Sequence, residues 1–176
     1  EKSGHYIEIE IPQAFLLGRD GWQRDSVNVL LVDGIIENIS SIHHLLEKAS
    51  QNKEPHLLIC RGVSKEVRET VDLNFIRETI DFIIAETDFN VEFHHFFKDM
   101  SKIFGSDFVN IKMGDVISSK IEKLIFNIDH VKIDSMGITF THDDIDKESI
   151  ARYTRDIESI VDRMQSENIE VTEEVS

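Results

Sequence analysis

The sequence has little cysteine and few cationic side chains. Its single cysteine, Cys60, excludes an internal disulfide and fits a reducing compartment. Lys and Arg number 19 against 34 Asp and Glu, which gives a formal net charge of −15 at pH 7. Such an acidic surface repels phosphate backbones and anionic lipids, so we expect no nucleic acid and no membrane partner. No apolar run is long enough to span a bilayer, and no signal-peptide pattern occurs.

Length and hydrophobicity indicate one folded domain. The chain has 176 residues, of which 40% are hydrophobic, so it can bury a sizeable core. We assign residues 1–165 to a single domain and 166–176 to an acidic, frayed tail. Because the chain begins at Glu1 and not at Met, it is either a processed protein or a fragment of a longer one, and we favour a fragment.

Apolar patterns predict alternating strands and helices in the first half of the chain. Residues 7–12 alternate apolar and polar side chains, as in a half-buried strand. Helical periodicity follows at 38–50, with Asn38 or Ser40 as the cap, and again after Ser64. Continuous apolar runs, which are typical of buried strands, lie at 27–33, 56–60 and 80–85.

The second half continues the pattern with a hairpin. We predict a helix from Asp88 or Asn90 to Gly105, a short strand at 108–111, a hairpin at 131–134 and 137–142, and a last helix from Asp144 or Asp146. This order predicts a three-layer α/β fold with a central mixed sheet flanked by helices, plus a C-terminal helix. The sheet should be mostly parallel in its first half.

Asp33 ends the first buried strand, where a receiver domain of a signalling protein carries an acidic metal-binding residue. A receiver needs a second acidic residue beside it, but Gly34 follows. The phosphoacceptor would have to be Asp88, which is a poor match. We therefore interpret Asp33 as a solvated strand-end carboxylate, and a degenerate receiver stays as the alternative function.

No pattern of catalytic or metal-ligating residues is complete. Adjacent helical residues point about 100° apart, so neither His43–His44 nor His94–His95 can hold one metal ion. His142–Asp143–Asp144 lacks a nucleophile and fails the calcium-loop template. Cys60 lies in an apolar run, as a buried, unreactive thiol does. We therefore predict a binding domain with no catalytic residue, no metal and no cofactor of its own.

Residues 29–85 resemble the apical domain of group I, bacterial-type chaperonins. The shared pattern is an apolar strand ending in Asp, a helix opened by Ile-x-Asn-Ile, a Pro-Leu-Leu-Ile-like strand, and an acidic helix before a Val-rich strand. The fitting positions are Asp33, Asn38, Ile39, Leu46, Glu47, Pro55, Leu57, Leu58, Ile59, Val63, Glu66, Thr70, Asn74 and Arg77. Weaker likeness extends this over about 12–165, including residues 121–124 and 131–142.

The sequence also departs from the family pattern. Residues 85–92 replace a glycine-rich family segment, and Ile125 replaces a glycine. The chain is therefore identified as a divergent member, for which a phage origin is one interpretation. The expected location is the cytoplasm, which would be the host cytoplasm for a phage protein.

The resemblance implies a polypeptide-binding groove between the helices at 38–50 and 64–77. Its lining positions would be Ala14, Phe15, His43, Leu46, Arg68, Asp72 and Leu73. The family places large apolar residues at nearly all of them, but Arg68 and Asp72 are charged and at i, i+4 spacing, where they can pair. Charges in a groove must be satisfied when a ligand closes it, so we expect a narrower range of polypeptides.

The resemblance also implies a function and partners. The fragment would hold non-native polypeptide, and a co-chaperonin loop would bind the same groove. The parent would be a homo-oligomeric ring that assists protein folding, with ATP and Mg²⁺ in an equatorial domain outside this chain. The fragment itself would be a monomer and not an enzyme.

Overall fold

The computed structural model describes residues 7–12, 21–87, 95–114, 116–134 and 137–142, most of 148–163, and Ser166. Its strands are β1 (Ile7–Pro12), β2 (Trp22–Ile36), β3 (His56–Val63), β4 (Phe82–Glu86), β5 (Val109–Asn110), β6 (Phe126–Asp134) and β7 (Gly137–His142). Its helices are α1 (His43–Asn52), α2 (Lys65–Ile76), α3 (Phe96–Phe104) and α4 (Ile117–Leu124).

The strands form one mixed sheet, which confirms the predicted α/β fold class. Their order is β1-β7-β6-β2-β3-β4, and β5 pairs with β2 beside this path. The β2, β3 and β4 strands are parallel, whereas β6 and β7 form the predicted antiparallel hairpin. Helices connect the parallel strands because a parallel connection needs a long crossover.

Strand β2 is longer than the predicted run at 27–33. Its first half, from Trp22, pairs antiparallel with β6, and its second half pairs with β3. Gly34 lies inside the strand and does not end it. Its missing side chain leaves room for Ile111, since a Cβ there would lie 2.5 Å from Ile111 Cδ1. The glycine therefore marks a close packing position and not a turn.

Helices α1 and α2 begin differently. Neither predicted cap opens α1: a 3₁₀ turn at Ile39–Ile42 precedes it, and Asn38 makes no side-chain capping bond. By contrast, Ser64 caps α2 as predicted, since its hydroxyl accepts the Val67 N–H at 3.3 Å.

The helices on the second half of the sheet fit the prediction in part. Gly105 ends α3 in a left-handed conformation at φ 63°. The predicted start of α3 at Asp88 or Asn90 lies outside the described residues. Helix α4 was not predicted from the sequence.

Two apolar layers cover the faces of the sheet. One is built on α3 and includes Phe96, Phe97, Met100 and Tyr153. The other joins α1, α2 and the start of α4 to the opposite face of β2, β3 and β4. The three-layer prediction is therefore correct, and α1 and α2 share one face.

The C-terminal region is helical where it is described. Residues 150–156 form helix, and Tyr153 is buried with 3% of its surface exposed, as its predicted inner stripe requires. The predicted cap at Asp144 or Asp146 and the tail after Ser166 lie outside the described residues. Among the described residues, no helix is long and apolar enough to cross a membrane.

Candidate functional site

Helices α1 and α2 lie side by side on one face of the sheet. They make the successive crossovers β2-α1-β3 and β3-α2-β4, and crossovers of one hand place both helices on the same side. At their C-terminal ends the Lys53 ammonium donates to the Thr79 carbonyl at 3.2 Å. We call the space between the two helices the interhelix groove.

Helix α1 turns Leu46 toward this groove. Its buried stripe contains Leu45 and Ala49, which face the sheet. On one flank of the stripe, Lys48 lies 3.7 Å from Glu122 of α4, on the side away from α2. Leu46 lies on the other flank and is half-buried, so it faces α2.

Helix α2 turns Leu73 toward the same groove. Val67 and Val71 face the sheet. Arg68 lies on the flank that reaches over β4, at the side of α2 away from α1. At 100° per residue, Leu73 lies about 140° from Arg68, on the outer side of α2, with 45% of its surface exposed. The two leucines from the predicted site therefore border the outer opening of the interhelix groove.

Arg68 and Asp72 do not line the interhelix groove, contrary to our expectation. The Arg68 guanidinium donates through Nη1 to the Ile84 carbonyl at 3.0 Å, and Nη2 lies 3.4 Å from Glu86 Oε2. The predicted pairing with Asp72 is confirmed only at 3.9 Å. We therefore no longer expect the Arg68 charge to narrow the range of polypeptides that this groove accepts.

The geometry of the sheet edge explains the position of Arg68. The His56 N–H bonds the Asp81 carbonyl and the Thr87 N–H bonds the Cys60 carbonyl, so odd-numbered residues of β4 direct their main-chain groups toward β3. The Ile84 carbonyl then points to the open side of β4, which ends the strand order of the described sheet. Arg68 satisfies this edge carbonyl.

The remaining predicted positions contribute less. His43 is exposed at the first residue of α1. Ala14 and Phe15 lie outside the described residues. The prediction missed Ile76, which is 66% exposed at the end of α2. Its spacing of three residues from Leu73 is the signal that extends the apolar surface along the helix.

The carboxyl ends of the parallel strands hold an ion pair. Arg61 donates through Nε to Asp33, whose surface is only 8% exposed, and the guanidinium lies over the Phe97 ring at 5.7 Å. Asp33 is therefore not the solvated strand-end carboxylate that we expected. Asp88, the second carboxylate of the receiver alternative, lies outside the described residues.

The other candidate chemical groups are separated or buried. Burial and the nearby Glu86 carboxylate raise the pKa of the Cys60 thiol to about 12, so the thiol stays protonated. His142 Nδ1 lies 3.3 Å from Asp129 Oδ2. Within the part of the chain that the structure describes, no three His, Cys, Asp or Glu residues are placed to hold a metal ion.

Comparisons with known proteins add no family assignment. No protein-family model matches the chain, and no curated protein matches its sequence. The site is a groove between α1 and α2 that Leu46 and Leu73 border, with the Arg68 guanidinium bonded to the sheet edge away from it.

Proposed function

We propose that this domain holds non-native polypeptide in the interhelix groove, as the apical domain of a chaperonin does. The observation that carries the proposal is the pair Leu46 and Leu73, which border the interhelix groove and are not fully buried. The resemblance over residues 29–85 directed attention to these two positions, because the same two helices form the binding surface in that family.

The physical basis is nondirectional apolar burial. Removing apolar surface from water gains roughly 25 cal/mol per Å², whichever residues supply that surface. A groove between helices can therefore accept many unfolded segments, provided that no uncompensated charge is buried with them. Arg68 fits this requirement, because its guanidinium is bonded to the sheet edge and not aimed into the groove.

The proposal extends to a longer parent protein. In that parent, a separate domain would bind ATP and Mg²⁺, and hydrolysis would swing this domain and change the exposure of the groove. A co-chaperonin loop would compete for the same surface. This chain alone would bind polypeptide without hydrolysing ATP.

Suppression of aggregation tests the proposal. A chemically unfolded test protein is diluted into buffer with the wild-type chain, with Leu46→Glu plus Leu73→Glu, or with Leu73→Glu alone. The single variant changes a side chain that is 45% exposed, so it should leave the fold intact. Met113→Glu is the matched control, because Met113 is an exposed apolar residue outside the groove.

The expected result is suppression by the wild-type chain and by Met113→Glu. The double variant should be inactive and Leu73→Glu should be weaker, with unchanged circular dichroism for Leu73→Glu. Equal activity of all four proteins would remove the groove as the binding site. Inactivity of the wild-type chain would remove the general polypeptide-holding function.

A further inference from the structure

A second concave surface lies where the interhelix groove ends. Its volume is about 600 Å³, and it opens between the C-terminal ends of α1 and α2 and the first residues of β2. We call it the Trp22 cleft; the lining residues that matter here are Trp22, Arg24, Lys53, Phe75, Ile76 and Ile80. Its volume is in the range of ligand-binding pockets, roughly 300–1,000 Å³.

Arg24 is held in place by two hydrogen bonds in this cleft. Its Nε donates to Asp81 Oδ2 at 2.7 Å and its Nη1 donates to the Gln23 carbonyl at 2.8 Å. Asp81 is fixed in turn, since its Oδ1 accepts the indole N–H of Trp22 at 2.9 Å. These bonds hold the guanidinium plane in one orientation before any ligand arrives.

The guanidinium already contacts one aromatic ring. The Arg24 Cζ lies over the Trp22 ring, 5.4 Å from its centre. The Arg24 side chain is nevertheless 43% exposed and lines the cleft. A guanidinium can contact more than one aromatic ring, so a second ring can pack against its exposed part.

We infer that the Trp22 cleft is an anchor site for an aromatic side chain of a polypeptide held in the interhelix groove. This inference rests on the proposed function and names the class of segment that binds best. Phe75 and Ile76 supply an apolar wall for the ring, and Arg24 supplies the stacking partner. Aliphatic side chains contact the same wall without the stack, so they bind more weakly.

The rim of the cleft suits the main chain of a polypeptide. The Lys53 ammonium makes one bond, to the Thr79 carbonyl, and keeps further N–H donors. Lys53 follows α1 directly and Ile76 ends α2, so a segment lying along the groove reaches the cleft without a turn. Peptide carbonyls are neutral acceptors, so their binding to Lys53 does not bring a second negative charge close to this acidic protein.

Three matched peptides test the inference. Each carries two leucines for the groove, and the third apolar position is Phe, Leu or Ala. Affinity is measured by calorimetry with the wild-type chain, with Arg24→Lys and with Leu73→Glu. Trp22 is the single tryptophan of the chain, so its emission reports occupancy of the cleft in the same titration.

The wild-type chain should bind the Phe peptide about 2- to 5-fold more tightly than the Leu peptide and change its Trp22 emission. Arg24→Lys keeps the charge but not the flat stacking surface, so its preference for the Phe peptide over the Leu peptide should be smaller than that of the wild-type chain. Leu73→Glu should weaken all three peptides. Equal wild-type affinity for the Phe and Leu peptides, with Leu73→Glu still weakening both, would overturn the inference and leave the proposed function standing.

Failure of every peptide to bind would count against the proposed function, and the cleft is then tested alone. N-acetylphenylalanine amide is titrated against the wild-type chain and Arg24→Lys. A change of Trp22 emission in the wild-type chain, reduced in Arg24→Lys, would support an aromatic site. Unchanged emission in both would overturn it.

Discussion

Replacing Arg68 with methionine tests whether this side chain fastens α2 to the edge of the sheet. Methionine keeps an unbranched apolar stem but removes the Nη1 donor to the Ile84 carbonyl and the contact with Glu86. A hydrogen bond from a charged donor contributes about 1.5–3 kcal/mol. Arg68 Nη2 is buried without a hydrogen bond, which costs free energy in the folded protein, so its removal offsets part of the loss. We therefore expect a net loss of about 1–2 kcal/mol.

Urea unfolding followed by Trp22 fluorescence and circular dichroism measures this loss, which corresponds to a Tm lower by about 2–8 °C. The control is Lys65→Met on the same helix. Lys65 lies 3.6 Å from Glu69 with 88% of its side chain exposed, so its change should stay within about 0.5 kcal/mol. If Arg68→Met matched that control, or stabilised the protein, the edge contact would not hold α2 in place.

Three further substitutions or reactions follow from packing and burial. Gly34→Ala should lower stability by about 1–3 kcal/mol in thermal unfolding, because the new Cβ at position 34 would lie 2.5 Å from Ile111 Cδ1. An unchanged Tm would contradict this close packing. Burial raises the pKa of Cys60 to about 12, so a thiol reagent at neutral pH should react only as fast as the protein opens; immediate reaction would contradict the buried position. Burial, and to a smaller extent the nearby Asp156, raise the pKa of Asp99. The folded state therefore binds the carboxyl proton of Asp99 more tightly than the unfolded state does, and the stability of the fold falls as pH rises through the folded-state pKa. Asp99→Asn should therefore exceed the wild-type chain in stability at pH 7 and lose that advantage in acid, and an advantage independent of pH would argue against the shift.

Local patterns predicted most of the fold. The apolar run at 27–33 forms the middle of β2, and the run at 56–60 forms the first five residues of β3. Ser64 caps α2 because its hydroxyl satisfies a free helical N–H. Residues 117–124 were missed, although they form α4. The ends of β2 were missed because pairing with β6, and not local propensity, extends the strand.

The candidate site was less predictable than the fold. The positions of Leu46 and Leu73 in the groove came from the family resemblance. The direction of Arg68 depends on which carbonyls of β4 face the open edge, and this is a property of strand pairing. The Trp22 cleft joins Trp22 to Asp81, which is 59 residues away, so no local motif marks it.

Amide hydrogen exchange of the chain, with and without an unfolded polypeptide, locates the binding surface. We expect the bound polypeptide to slow exchange in α1 (His43–Asn52) and α2 (Lys65–Ile76), and Leu46→Glu plus Leu73→Glu to abolish this protection. Protection confined to another exposed apolar region, such as that around Met113 and Val116, would contradict the groove as the binding site.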